Sequence, residues 1–81
     1  MALSQAEVLT GLAEIVNEET GIDTSQVQMD KSFVDDLDID SISMLTIVMN
    51  AEEKFGVTIP EEKVADLKTV ADAVNFITEA Q

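Results

Sequence analysis

Ser41 stands between Asp40 and Ile42 where a helical pattern begins, and it is the side chain whose position most invites chemistry. At the first turn of a helix several backbone N–H groups lack partners and the dipole end is positive, so a phosphate ester on this hydroxyl would be electrostatically tolerated. A plainer role suits the same position: Ser41 or Asp40 could simply cap the helix. Ser43 is a weaker candidate because it lies further inside the helix. The chain has no Cys, which excludes disulfides and thiolate metal sites, and no His, the commonest general base and transition-metal ligand. Self-contained Ser-His or Cys-His catalysis is therefore excluded. An enzyme would have only carboxylates and lysines for acid–base work, and no pair of them is set apart by an apolar setting.

Acidic residues crowd the approach to Ser41. Asp36, Asp38 and Asp40 fit the first three ligand positions of a calcium loop, but the glycine that loop requires falls on Ser41 and its closing glutamate on Ile47, which cannot coordinate. No metal site is expected. Over the whole chain, seventeen Asp and Glu oppose four Lys, for a formal charge of −13. That balance disfavours nucleic acid and anionic membranes and favours partners with basic surfaces, although acidity can also serve solubility alone. Met1 to Ser4 holds no basic run, and no apolar stretch approaches the ~20 residues a membrane span needs. A cytoplasmic monomer is expected.

The elements that must position Ser41 follow from periodicity. The 81 residues suit one domain, 1–81, and a 46% hydrophobic content is too high for a chain that stays unfolded. Ser4-Gln5-Ala6-Glu7 has capping-box spacing and opens a stripe of Val8, Leu9, Leu12, Ile15 and Val16, closed by Gly21. Residues 22–40 show no sustained period and read as a long ordered loop pinned by Ile22, Val27, Met29, Phe33 and Leu37. Such a loop in a small domain usually carries function. A second helix runs from Asp40 and Ser41 to about Phe55, with Gly56 as its stop. Pro60 fits the first position of a short third helix over about 60–66. Thr69-Val70-Ala71-Asp72 caps a last helix with a stripe of Val70, Ala73, Val74 and Ile77. The fold class is all-α: a four-helix bundle with three longer helices, one short third helix, and the long loop between the first two.

The second helix has more apolar surface than docking requires. At 100° per residue, Met44, Ile47, Val48, Ala51 and Phe55 form a core-facing stripe. Ile42, Leu45 and Met49 form another beside it. The third helix or the long loop could bury this second stripe. If neither does, it is an apolar strip fringed by Asp35, Asp36, Asp38, Asp40, Glu52 and Glu53, the make-up of a docking face.

The run from Phe33 through Asp35-Asp36-Leu37-Asp38-Ile39-Asp40-Ser41-Ile42, with Ala51-Glu52-Glu53-Lys54-Phe55-Gly56 and Ile59-Pro60 after it, resembles the acyl carrier proteins, and the likeness spans essentially the whole chain. Asp-Ser-Ile alone is common; the specificity lies in these features occurring together. The resemblance implies that a phosphopantetheinyl transferase moves 4′-phosphopantetheine from coenzyme A onto Ser41, so that the cofactor supplies the thiol the chain lacks. The chain is then a carrier of acyl thioesters and a substrate for enzymes, not a catalyst. Asp40 would help the transferase dock. Ile42, Leu45, Met49, Glu52, Glu53, Asp36 and Asp38 would meet malonyl transferase, condensing enzymes, reductases and dehydratase through their basic surfaces. Phe33, Val48, Ile59, Val64 and Leu67 would line an acyl cavity, although they are equally ordinary core residues. Thr46 departs from the pattern, standing where many fatty-acid carriers have glutamate.

Within that family, the motif around Ser41 looks most like the free-standing carriers of bacterial fatty-acid synthesis, with a polyketide carrier as the alternative. An unmodified acidic interaction module, with Ser41 a cap, is the alternative outside it.

Overall fold

The computed structural model describes residues 3–80. Met1, Ala2 and Gln81, the ends of the expected 1–81 domain and part of the stretch read for a signal peptide, lie outside the described residues. Four helices follow in order: α1 over Gln5–Thr20, α2 over Ser41–Phe55, α3 over Glu61–Val64 and α4 over Val70–Ala80.

The helix ends form where side chains can satisfy orphan backbone groups. At α1, the Ser4 hydroxyl accepts from the Glu7 N–H at 3.2 Å and the Glu7 carboxylate accepts from the Ser4 N–H at 3.1 Å, a reciprocal capping box. Thr69 and Asp72 repeat the arrangement at α4, at 3.2 and 3.1 Å. Gly21 and Gly56 stop α1 and α2 in the left-handed region, with φ of 80° and 66°, a conformation that costs glycine least. Pro60 differs from expectation: at ψ 145° it is extended and precedes α3 instead of occupying its first turn. The helix is also shorter than 60–66. It tapers into tight turns, with Asp66 N–H donating to Lys63 O at 2.9 Å and Leu67 N–H to Val64 O at 3.1 Å.

The expected stripes form the core except for Leu9 and Phe55, which are half-buried and pack against it. Val8, Leu12, Ile15 and Val16 of α1, Met44, Ile47, Val48 and Ala51 of α2, and Val70, Ala73, Val74 and Ile77 of α4 are all buried. Burying each large aliphatic side chain contributes roughly 1.5–3 kcal/mol. α1 packs against both α2 and α4. Its approach to α2 depends on Gly11, where a Cβ would stand 2.7 Å from the Phe55 ring. A glycine inside a helix costs about 1 kcal/mol relative to alanine; here its missing side chain is the space the ring occupies.

The loop over 21–40 is tied down at both ends of its path. Asp23 accepts from the Ser25 N–H at 3.0 Å and starts a 3-10 turn over Thr24–Gln26 that packs on α1. That bond, with a second from the Ser25 hydroxyl, holds the Asp23 carboxyl below its ordinary range. Further on, Ser32 pairs with Thr69 in an isolated antiparallel bridge. Phe33 N–H donates to Lys68 O at 3.0 Å, Val70 N–H to Lys31 O at 2.9 Å and Ala71 N–H to Met29 O at 3.1 Å. Val27, Phe33 and Leu37 are buried as anchors, and so is Ile39, which was not among the expected ones. The segment leading to Ser41 is thus moored to the connection between α3 and α4.

Candidate functional site

Asp40 is the N-cap of α2: its carboxylate accepts from the Ser43 N–H at 2.7 Å. This bond comes first among the causes that hold the Asp40 carboxyl below the usual carboxylate range, with the Ser43 hydroxyl and the Ile42 N–H adding to it. Asp40 therefore stays anionic beside the serine. Because it does the capping, Ser41 is the first helical residue, exposed, and its hydroxyl has no hydrogen-bond partner among the described residues. Ser43 is half-buried one position past Ile42. Of the two capping candidates, the structure assigns the cap to Asp40 and leaves Ser41 free.

The approach to Ser41 alternates inward and outward. Leu37 and Ile39 are buried while Asp36, Asp38 and Asp40 are exposed. Asp36 accepts from the Ser32 N–H at 2.7 Å, and Leu37 and Ile39 N–H donate to Ser32 O at 3.0 Å and Phe33 O at 2.9 Å. Asp38 adopts φ 55°, a left-handed conformation that Asp tolerates better than most residues. The carboxylates of Asp36 and Asp40 thus serve different backbone groups. Among the described residues no cluster of three or more ligand-type side chains could hold a metal ion.

Neither α3 nor the loop covers the second stripe of α2. Ile42 is 76% exposed, Met49 64% and Leu45 43%, and Val34 of the loop joins them at 61%. Val34 was not expected here; it lies in the turn over 33–37, whose Asp36 and Leu37 N–H groups both donate to Ser32 O, and no short-range pattern signals its exposure. Of the fringing acids, Glu53 is exposed, whereas Glu52 is half-buried and accepts from the Ile59 N–H at 2.9 Å, bracing the α2–α3 connection. Thr46 is half-buried and donates to the Ile42 carbonyl at 3.4 Å.

An apolar cleft of about 450 Å³ opens beside Ser41, between α2 and α3. Phe33, Val64 and Leu67, three of the expected cavity residues, line it with Val34, Met44 and Leu45; Ser41, Glu61 and Lys68 supply its polar lining. Val48 and Ile59 do not line it. They are buried at 5% and 6% in the main core, Val48 one turn past Met44 and Ile59 ahead of Pro60. A free, exposed primary hydroxyl at a helix N-terminus, beside an apolar cleft, fits a phosphate-linked arm on chemical grounds. Among the described residues no helix is long and apolar enough to cross a membrane.

The family model described as "Phosphopantetheine attachment site" matches residues 10–77, which places this short helical bundle in the class of phosphopantetheine-bearing carrier domains. Similar proteins narrow this. The acyl carrier protein of Kocuria rhizophila is 72% identical over 78 residues, covering 96% of each chain. That of Myxococcus xanthus is 73% identical over 74 residues, covering 91% of this chain and 94% of its own. A solved structure of the acyl carrier protein from Enterococcus faecalis, described for its high thermal stability, superposes with a TM-score of 0.80 at 33% identity, covering 98% of this chain and all of that one. The chain belongs to the acyl carrier protein family, whose cofactor is 4′-phosphopantetheine.

Proposed function

We propose that Ser41 is the attachment residue and that the chain, acting as one non-catalytic carrier domain in the cytoplasm, serves fatty-acid biosynthesis. The observation that carries this is the division of labour at the head of α2: Asp40 takes the cap, so the Ser41 hydroxyl is free and exposed. A separate transferase would load it. The Ser41 oxygen bonds to the phosphorus of the pantetheine phosphate, the bond from that phosphorus to the adenosine bisphosphate of coenzyme A breaks, and the serine proton leaves to the transferase or to water. Once attached, the group supplies a terminal thiol that holds acyl groups as thioesters. The chain's own residues do the rest. The helix N-terminus favours the ester's negative charge, Asp40 offers the transferase an anionic neighbour, and the cleft wall of Phe33, Val64 and Leu67 offers apolar cover to a chain folded back on it.

Partners are addressed by Ile42, Leu45 and Met49 as apolar anchors and by Asp36, Asp38, Glu52 and Glu53 as an acidic surround for basic docking surfaces. The carboxylate of Glu52 is partly engaged with Ile59, so Glu53 is the freer of that pair. The likeness of the motif around Ser41 to carriers of bacterial fatty-acid synthesis supports the fatty-acid pathway over a polyketide one. The test is to incubate the chain with coenzyme A and a broad-specificity phosphopantetheinyl transferase and weigh it. The wild type and Ser43→Ala gain the mass of one phosphopantetheine, and Ser41→Ala gains none; loading of Ser41→Ala would overturn the assignment. Malonyl-loaded carrier offered to fatty-acid and polyketide condensing enzymes then separates the pathways.

A further inference from the structure

The ester at Ser41 would add a permanent negative charge to a chain already at −13, directly after Asp35, Asp36, Asp38 and Asp40. Besides the N-terminal N–H groups of α2, the fold offers few positive charges to meet it. Of the four lysines, Lys54 lies thirteen residues along α2, roughly 20 Å away by helical rise, and is paired with Glu14 at 3.5 Å. Lys63 lines a different pocket with Asp66, Asp72 and Glu79. Lys31 precedes the bridge residue Ser32 and lines neither. Lys68 alone shares the wall of the Ser41 cleft, and it forms no ion pair among the described residues.

Its placement is fixed by the backbone. The Lys68 carbonyl accepts from the Phe33 N–H at 3.0 Å and its own N–H donates to Asp66 O at 3.0 Å. Leu67 before it is buried, and Thr69 after it pairs with Ser32. The backbone of Lys68 is therefore held at the cleft wall, and its exposed side chain forms no ion pair among the described residues. We propose that Lys68 is a positioning residue for the arm: its ammonium meets the phosphodiester formed at Ser41 and tilts the base of the arm toward the cleft, away from the exposed strip of Ile42 and Met49. The inference rests on attachment at Ser41.

The test compares unloaded and transferase-loaded protein by NMR. On loading, the Lys68 Cε resonance shifts more than that of Lys54. Lys68→Gln displaces the phosphorus resonance of the diester, and Lys68→Arg restores it. Both effects shrink in about 1 M salt, where the screening length is about 3 Å. Because Lys68 is exposed, an unchanged melting curve of the unloaded Lys68→Gln protein verifies that its fold is intact. If mass spectrometry shows no loading at all, the attachment reading fails and this inference with it. If loading is complete but Lys68 responds no more than Lys54 and the phosphorus signal ignores Lys68→Gln, only the role of Lys68 is overturned.

Discussion

α2 carries two apolar stripes of similar size with opposite fates. Met44, Ile47, Val48 and Ala51 are buried within the core that α2 shares with α1, whereas Ile42, Leu45 and Met49 face solvent one residue round the wheel. Hydrophobicity alone does not separate them; both would gain by leaving water. What separates them is whether the bundle has an element left to cover them. α3 is only four residues long and holds no buried residue, and the loop turns Val27, Phe33, Leu37 and Ile39 inward while its Val34 is itself exposed. The inner stripe is thus committed to folding, and the outer one stays exposed, where the proposed docking would use it.

The sharpest way to break this contrast is to truncate one residue from each stripe. Ile47→Ala should cost about 2–5 kcal/mol, the range for deleting a large aliphatic side chain from a packed core. Ile42→Ala should stay within about 0.5 kcal/mol, as exposed substitutions do. In a domain of this size each kcal/mol moves the melting temperature by about 4–8 °C, so thermal melts tell them apart. Equal losses would mean that the outer stripe is covered in solution and that the contrast is false.

A smaller effect probes the outer stripe directly. Met49→Glu should leave the melting curve nearly unchanged and weaken binding to a malonyl transferase or condensing enzyme about tenfold, or about 1.4 kcal/mol, in line with loss of an interface anchor. Isothermal titration with the loaded carrier measures it. Undiminished affinity would remove α2's exposed face from the proposed docking surface.

How much of this was legible beforehand depends on the range of the interactions. The limits of α2 follow from Asp40 and Gly56, and its two stripes from the spacing of eight residues, because caps and helical periodicity act within a few positions. The same local chemistry placed Ser4, Thr69 and Gly21. The departures are contacts between distant segments. No short window shows that Phe33 will hydrogen-bond to Lys68, that the Phe55 ring will occupy the space left by Gly11, or that Glu52 will turn inward to Ile59. For the same reason the cleft was only half foreseen. Phe33, Val64 and Leu67 line it, but other parts of its wall, Val34 and Lys68 among them, are set by how the loop docks on the α3–α4 connection.

The smallest predicted effect falls on Asp40, which serves both sides of the comparison: it caps the helix that the core needs and leaves the Ser41 hydroxyl, the proposed attachment point, outside the cap. Asn caps about as well as Asp, so Asp40→Asn keeps the acceptor and removes only the charge at the positive end of the dipole. The folded Asp40 carboxyl is held below the ordinary range, chiefly by the Ser43 N–H. A carboxyl with a depressed folded value contributes stability that is fully present above its unfolded value and is lost as the pH falls through the folded one. The wild type should therefore melt slightly above Asp40→Asn at pH 7, and the gap should close only as the pH falls below the ordinary carboxylate range, because the folded value is depressed. Other carboxylates protonate over the same interval and relax the self-repulsion of the chain, but they do so in both proteins, so the gap isolates Asp40. A gap that stays constant across the titration would show that the charge of Asp40 does not stabilise α2. Its acidity would then be explained by what it presents to a transferase, and Ser41 would keep its free hydroxyl through the geometry of the cap alone.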